Sequence, residues 1–176
     1  MDALDAMLAR RSIRRFTDED VSSDDEQTLL DAAFAAPSAS NARPWHFVCV
    51  RDAGTRRRLK ELSSYVHMLD RAPLVIAVLG RETGNPWWIE DCSAATENIL
   101  IAAAALGLGA VWCGMREDPD AVVGYERACC ELLGAPPDEW RAVALIAVGH
   151  PGEQKPPRTQ RQVSKVSYER FDRRSR

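Results

Sequence analysis

The stretch from Asp91 to Met115, DCSAATENILIAAAALGLGAVWCGM, constrains this chain more than any other. It opens on polar residues and then becomes wholly apolar from Ile99 to Leu106. A helix with no polar face left must be covered on nearly all sides. The helix therefore belongs at the centre of the core, at a subunit interface, or both. It is too short to span a bilayer, which takes about 20 apolar residues. Gly107 and Gly109 are placed to stop it, because glycine tolerates the left-handed cap conformation. Ala110 to Cys113 then reads as a short buried strand, and Gly114 allows close backbone approach.

A chain of 176 residues is long enough to bury that helix within one domain, 1–176. Its net charge of −3 argues against a general nucleic-acid binder. The basic residues nevertheless crowd at Arg10–Arg15, at Arg56–Arg58 and in the C-terminal tail. The five cysteines are an odd number with no CxxC pair, which predicts reduced thiols in a cytoplasmic protein. Met1–Ala9 carries acids and lacks the apolar core of a signal peptide.

Around the central helix the chain alternates helical and strand patterns. Leu4, Met7 and Leu8 recur at helical spacing and predict a short amphipathic helix over Asp2–Arg10. Within ARRSIRRF, residues 9–16, Arg10 and Arg14 share a face if that helix continues; if it ends near Arg11, the arginines converge beyond its end. They are either cations offsetting a helix dipole or a phosphate site, since guanidinium grips phosphate bidentately. Ser22 or Ser23, followed by three acids, caps a second helix that stops before Pro37. PSASNARPW, residues 37–45, holds an Asn and an Arg between two prolines, directly before a strand over Trp45–Val50. It is an ordinary turn or a rigid ligand-contacting loop. Thr55–Ser63 is a basic surface helix. Ala72–Gly80 is an uninterrupted apolar run and predicts a central strand covered on both faces. Trp87 and Trp88 wall a pocket or simply pack. A further helix is expected from Pro119–Gly124 through Leu133, and a third apolar strand over Trp140–His150. The tail holds Val163, Val166, Tyr168 and Phe171, apolar enough to dock on another surface.

Several chemistries are missing. There is neither GxxxxGK[ST] nor GxSxG, and GLG at 107–109 follows a helix and precedes a strand, the wrong polarity for a dinucleotide loop. His46, His67 and His150 have no ligand spacing to the cysteines, so no metal site is expected. With no evident nucleophile or acid pair, a bound cofactor is left to carry the reactivity.

Five stretches together resemble the nitroreductase family of FMN-dependent flavoproteins: RRSIRRF (10–16), APSASNARPWHF (36–47), APLVIAV (72–78), DCSAATENILIAAAALGLGAVWCGM (91–115) and IAVGHP with the basic tail (146–161). The resemblance implies an α+β fold, a mostly antiparallel sheet flanked by helices. It also implies an intertwined homodimer with an exchanged C-terminal strand and two FMN molecules at its interface. Arg10, Ser12 and Arg14, with Arg11 as a fourth, match residues that hold the FMN phosphate and pyrimidine edge. Pro37, Ser38, Ser40 and Asn41 match a loop that reaches FMN from the neighbouring subunit. Trp112, Cys113 and Gly114 match the turn beneath the ring, and Arg158 and Arg161 the basic tail that meets the phosphate. His67 falls near a ring contact, and Tyr65, Trp87 and Trp88 are implied substrate lids.

Two positions depart from the family pattern. Arg43 replaces the Gln often found before PW, biasing the pocket toward anions. Cys113 stands where Ile or Glu is usual, placing a thiol near the ring. The implied activity is ping-pong hydride transfer from NAD(P)H through FMN to small nitroaromatics or quinones. A relative with diverged chemistry, either flavin-modifying or dehalogenating, and a non-catalytic FMN-binding module remain as other readings.

Overall fold

The computed structural model describes residues 1–81, 85–116, 125–159 and 162–171. Four strands form one antiparallel sheet: β1 (Trp45–Val50), β2 (Leu74–Gly80), β3 (Gly109–Gly114) and β4 (Arg141–Gly149), in the order β1-β2-β4-β3. Together with its helices the sheet makes an α+β fold. The two central strands, β2 and β4, are the apolar runs. β2 is buried along its whole length and β4 from Ala142 onward, because helices cover both faces of the sheet.

Strand alternation sorts the core into two layers. Leu74, Ile76 and Val78 face one layer, with Ile146 and Val148 beside them; Val75, Ala77 and Leu79 face the other, with Leu145 and Ala147. Opposite the Val78–Leu79 step, β4 carries one extra residue, Val143, a bulge that lets Val143 and Ala144 join the same layer.

The first layer is built from α1 (Ala3–Ala9), α2 (Ser23–Phe34) and α4 (Trp88–Ala105). Asp2 caps α1 by accepting from Asp5 N at 2.9 Å, and Ser22 caps α2 by accepting from Asp25 N at 3.0 Å. The second layer holds α3 (Ala53–Glu61), a 3-10 segment over Ser64–Asp70 and α5 (Tyr125–Leu132). In α3, Arg56 donates to the carbonyls of Asp70 and Ala72, and Lys60 meets Asp70 at 2.6 Å. That face of the basic helix is thus a tether, not only a solvated surface.

α4 is the expected central helix, and it touches α1, α2 and all four strands. It begins three residues earlier than the sequence predicts, at Trp88, and no capping side chain marks that start. Its end is a Schellman motif: Leu108 N donates to Ala103 O at 2.8 Å, Gly107 N to Ala104 O at 3.1 Å, and Gly107 has φ +78°. Gly109 has a different task from the stop expected of it. A Cβ there would lie 2.7 Å from Ile13 Cγ2, so glycine is what lets the N-terminal segment lie against β3.

One chain covers α4 only in part. Cys92, Ala95, Ile99 and Ala103 are fully buried, whereas Ile101, Ala102 and Ala104 are half-buried and Ala105 and Leu106 exposed. The apolar face expected of α1 is open as well: Leu4, Met7 and Leu8 lie on the surface and only Ala6 is buried. Among the described residues no strand follows the isolated Phe16–Pro151 bridge. The described part of the tail beyond it is irregular apart from a 3-10 turn at Val163–Lys165, so the described residues form no C-terminal strand. The helix start expected at Pro119–Gly124 lies outside the described residues. No described helix is long and apolar enough to cross a membrane.

Candidate functional site

α1 ends at Ala9, and ARRSIRRF continues as an extended segment beside the β3 edge. Ile13 N donates to Ala110 O at 3.0 Å, Ser12 bridges Ala110 in parallel, and Phe16 bridges Pro151. Extended backbone turns alternate side chains to opposite sides. Ile13 is buried against Gly109, and Arg14 emerges beside Trp112. The arginines therefore do not converge, contrary to the expectation for a helix ending here. Arg10 meets Glu97 of α4 at 3.4 Å, Arg11 donates to Pro156 O in the tail, and Arg14 alone enters the cavity described next.

That cavity, of about 540 Å3, lies between the β3 edge and the Ser64–Asp70 segment. Arg14 and Val111–Gly114 form one wall, and Ser64–Met68 the other. Its volume suits a small-molecule site, typically about 300–1,000 Å3. Five residues that the resemblance singled out thus meet at one place: Arg14, His67, Trp112, Cys113 and Gly114. Tyr65 joins them at the rim, 85% exposed. At Gly114 a Cβ would find nothing within 4 Å, so this chain's own packing does not call for a glycine there. A ligand lying against β3 would.

The Cys113 thiol sits 3.5 Å from Met68 Sδ. Burial pushes it up to about 11, against a smaller opposing pull from Arg14. It is therefore protonated at neutral pH, which makes it a poor nucleophile.

Two residues missed from sequence hold the Arg14 segment in place. Glu153 Oε1 accepts from Arg14 N at 2.6 Å. Lys155 Nζ donates to Ser12 O at 2.6 Å and pairs with Glu153 at 3.1 Å. The hydrogen bond from Arg14 N, helped by Lys155, holds the Glu153 carboxyl below the ordinary range. The only sequence signal was an acid at the front of a basic tail. Arg158 sits farther along that tail, where its N–H donates to Leu8 O at 3.3 Å; it does not line the cavity. Arg161 lies outside the described residues.

The 37–43 loop forms a second cluster that does not line the cavity of its own chain. Ser40, Asn41 and Arg43 all adopt positive φ, 52°, 57° and 48°. Non-glycine residues in that region carry strain, which persists only where surroundings enforce it. Internal bonds brace the loop: Arg43 N donates to Ser38 Oγ at 3.0 Å, and Arg43 Nε to Asn41 Oδ1 at 3.0 Å. The Arg43 guanidinium is thus engaged within its own loop. Pro37 and Ser40 are exposed at its surface.

The tryptophan pair divides. Trp87 is 57% exposed at the start of α4, away from the cavity. Trp88 is 5% exposed and belongs to the core, packed under Gly80 where a Cβ would lie 2.8 Å from its ring. It is no substrate lid. Its ring carries the guanidinium groups of Arg141 at 5.8 Å and Arg116 at 6.0 Å. Both arginines pair with the buried carboxylate of Glu126.

The sequence matches the profile described as the nitroreductase family over residues 7–65 and 63–150. A protein of Archaeoglobus fulgidus, provisionally named an NADH dehydrogenase/NAD(P)H nitroreductase, is 37% identical over 158 residues, 88% of each chain. The structure of an FMN-dependent nitroreductase from Clostridium difficile superposes with a TM-score of 0.90 at 29% identity, covering 96% of this chain and 99% of that one. A protein from Desulfovibrio desulfuricans, provisionally named a nitroreductase and solved in complex with FMN, superposes with a TM-score of 0.81 at 30% identity, covering 98% of this chain and 99% of that one. By sequence and by fold, the chain belongs to the nitroreductase family.

Proposed function

We propose that this chain is an FMN-dependent NAD(P)H oxidoreductase that works as a cytoplasmic homodimer. The observation carrying the reading is the β3-edge cavity, where the Arg14 cation, the Trp112–Gly114 backbone and an otherwise unexplained glycine share one wall. These residues fit an anionic, flat aromatic cofactor. The chemistry that FMN supplies when bound is two-electron transfer, from NAD(P)H to an oxidised nitroaromatic or quinone in ping-pong order.

The chain's own part is placement and electrostatics. Arg14 sets a positive charge at the cavity wall, where it stabilises negative charge developing on a ring. Gly114 leaves β3 flat, so a ring can lie against the Trp112–Gly114 backbone. Arg10, Arg11 and Ser12 precede Arg14 on the same extended segment, and Arg158 and Arg161 follow in the tail; these are the residues assigned to the phosphate end. His67 and Tyr65 form the opposite wall and rim, with Trp87 and Arg43 brought near by a second copy as substrate contacts. The substrate must come within about 3–3.5 Å of the reacting atom with water excluded.

A second copy is also what the exposed apolar surface calls for. Leu4, Met7 and Leu8 on α1, Leu106, and Val163, Val166, Tyr168 and Phe171 in the tail lie open in one chain. Burying them at about 25 cal/mol per Å2 favours association. The loop over Pro37, Ser38, Ser40 and Asn41 is then offered to the partner's cavity.

The test is direct. Purified protein titrated with FMN should quench flavin fluorescence, and NADH or NADPH should bleach the bound flavin. A protein that takes up no FMN overturns the reading; one that binds FMN but is not reduced by either nicotinamide is a binding module. Arg14→Ala should weaken FMN binding about tenfold or more, the worth of one charge-assisted contact; unchanged affinity removes Arg14 from the site.

A further inference from the structure

Asp91 stands in the first turn of α4 and is buried, yet the proposed chemistry makes no use of it. Its two carboxylate oxygens have separate duties. Oδ1 accepts from Ala39 N at 2.9 Å, and Oδ2 accepts from Asn85 Nδ2 at 3.4 Å. Asn85 Nδ2 also donates to Ala39 O at 3.2 Å, while Asn85 Oδ1 accepts from Trp87 N at 3.0 Å. Both backbone groups of Ala39 are therefore held from outside the loop. The residues immediately beyond, Ser40 and Asn41, carry the positive φ angles.

This arrangement has a physical logic. An isolated strained turn relaxes unless something enforces it. A carboxylate bonded to a backbone N–H is a strong, directional tie, and removing it leaves a buried donor unsatisfied. Asp91 is thus a point at which the positive-φ loop is fixed to the central helix α4. The loop does not line the β3-edge cavity of its own chain.

We infer that Asp91, relayed by Asn85, is a positioning residue that acts in trans: it sets the Ser38–Asn41 loop for the FMN held in the partner's cavity. This rests on the FMN-homodimer reading above. Asp91 touches neither cofactor nor substrate in this arrangement; it determines where Ser38, Ser40 and Asn41 sit.

The experiment is subunit complementation, read by FMN titration. Wild type is titrated first, and failure of wild type to bind FMN overturns the FMN reading and this inference together. Asp91→Asn should bind FMN about tenfold or more weakly while keeping wild-type far-ultraviolet dichroism, since its amide leaves one donor facing another. Should Asp91→Asn not fold, Asn85→Ala takes its place, with an expected loss of about threefold or more. Each variant is then mixed with Arg14→Ala chains and reassembled. In a mixed dimer one site combines an intact Arg14 wall with an intact partner loop, and the other site combines both defects. Recovery of wild-type affinity at one site per mixed dimer is the expected result. If wild type binds FMN but the mixed dimer recovers nothing, Asp91 acts within its own chain. If Asp91→Asn binds within twofold of wild type, Asp91 does not position the loop. Either outcome overturns the inference while leaving the FMN reading intact.

Discussion

Three glycines within eight residues differ in what their missing side chains are for. Gly107 is demanded by its own φ, Gly109 by the approach of Ile13, and Gly114 by neither. From the sequence, Gly107 and Gly109 read alike as helix stops, and only the packing of a segment nearly a hundred residues earlier separates them. Gly109→Ala should destabilise the fold by about 1–3 kcal/mol through overpacking, measured by chemical denaturation. Gly114→Val should leave stability within about 0.5 kcal/mol, as surface substitutions do, yet reduce FMN affinity about tenfold or more by filling the space against β3. A Gly114→Val protein that binds FMN normally would show that nothing lies against that strand. Trp88 shows the converse limit. Beside Trp87 in sequence, nothing marks it as core; the one-residue step around a helix sends the two rings to different environments.

Elements were legible where periodicity or punctuation was strong. The strands at 74–80 and 141–149 came through because central strands are uninterrupted apolar runs with turn residues at their ends, and the edge strand at 45–50 because a proline-bounded loop leads directly into it. The start of α4 and the Ser64–Asp70 segment did not. α4 has no capping side chain, and the 3-10 segment, with buried Val66, Met68 and Leu69 among polar residues, is too short to set up a period. The Glu126 cluster was equally silent, since Arg116, Glu126 and Arg141 are far apart in sequence and no spacing announces them. One carboxylate with its side chain 4% exposed there holds Arg116 after β3 and Arg141 at the start of β4. Glu126→Ala should cost about 1–3 kcal/mol, the worth of charge-assisted bonds lost together with their buried geometry. An unfolding free energy unchanged within error would show the cluster to be ornamental. The positive-φ loop was half legible. The two prolines marked rigidity, but nothing in the loop announced the positive φ at Ser40, Asn41 and Arg43 or the bond from Ala39 N to Asp91, fifty-two residues away.

For the whole molecule, buried thiols set an alkaline limit. Burial pushes Cys92 and Cys129 up to about 12 and Cys113 up to about 11, from an ordinary 9.0. The unfolded chain loses these protons near pH 9 while the folded chain keeps them, so the stabilising effect is complete below pH 9 and is lost as pH rises toward the folded values. Each such thiol should add up to about 1.4 kcal/mol of lost stability per pH unit in that window. Melting temperatures recorded from pH 8 to 10.5 should fall, and less steeply in Cys129→Ala. An identical slope in that variant would mean that Cys129 titrates as an exposed thiol does. The fold was readable from the chain, and Arg14 and Trp112–Gly114, which the resemblance singled out, share one cavity wall. How the proposed site is completed was not, because one chain leaves apolar faces of α1, α4 and the tail open. Native mass spectrometry of protein incubated with FMN tests that most directly. A species at twice the chain mass carrying two FMN molecules is the predicted result, and a single chain without flavin would contradict it.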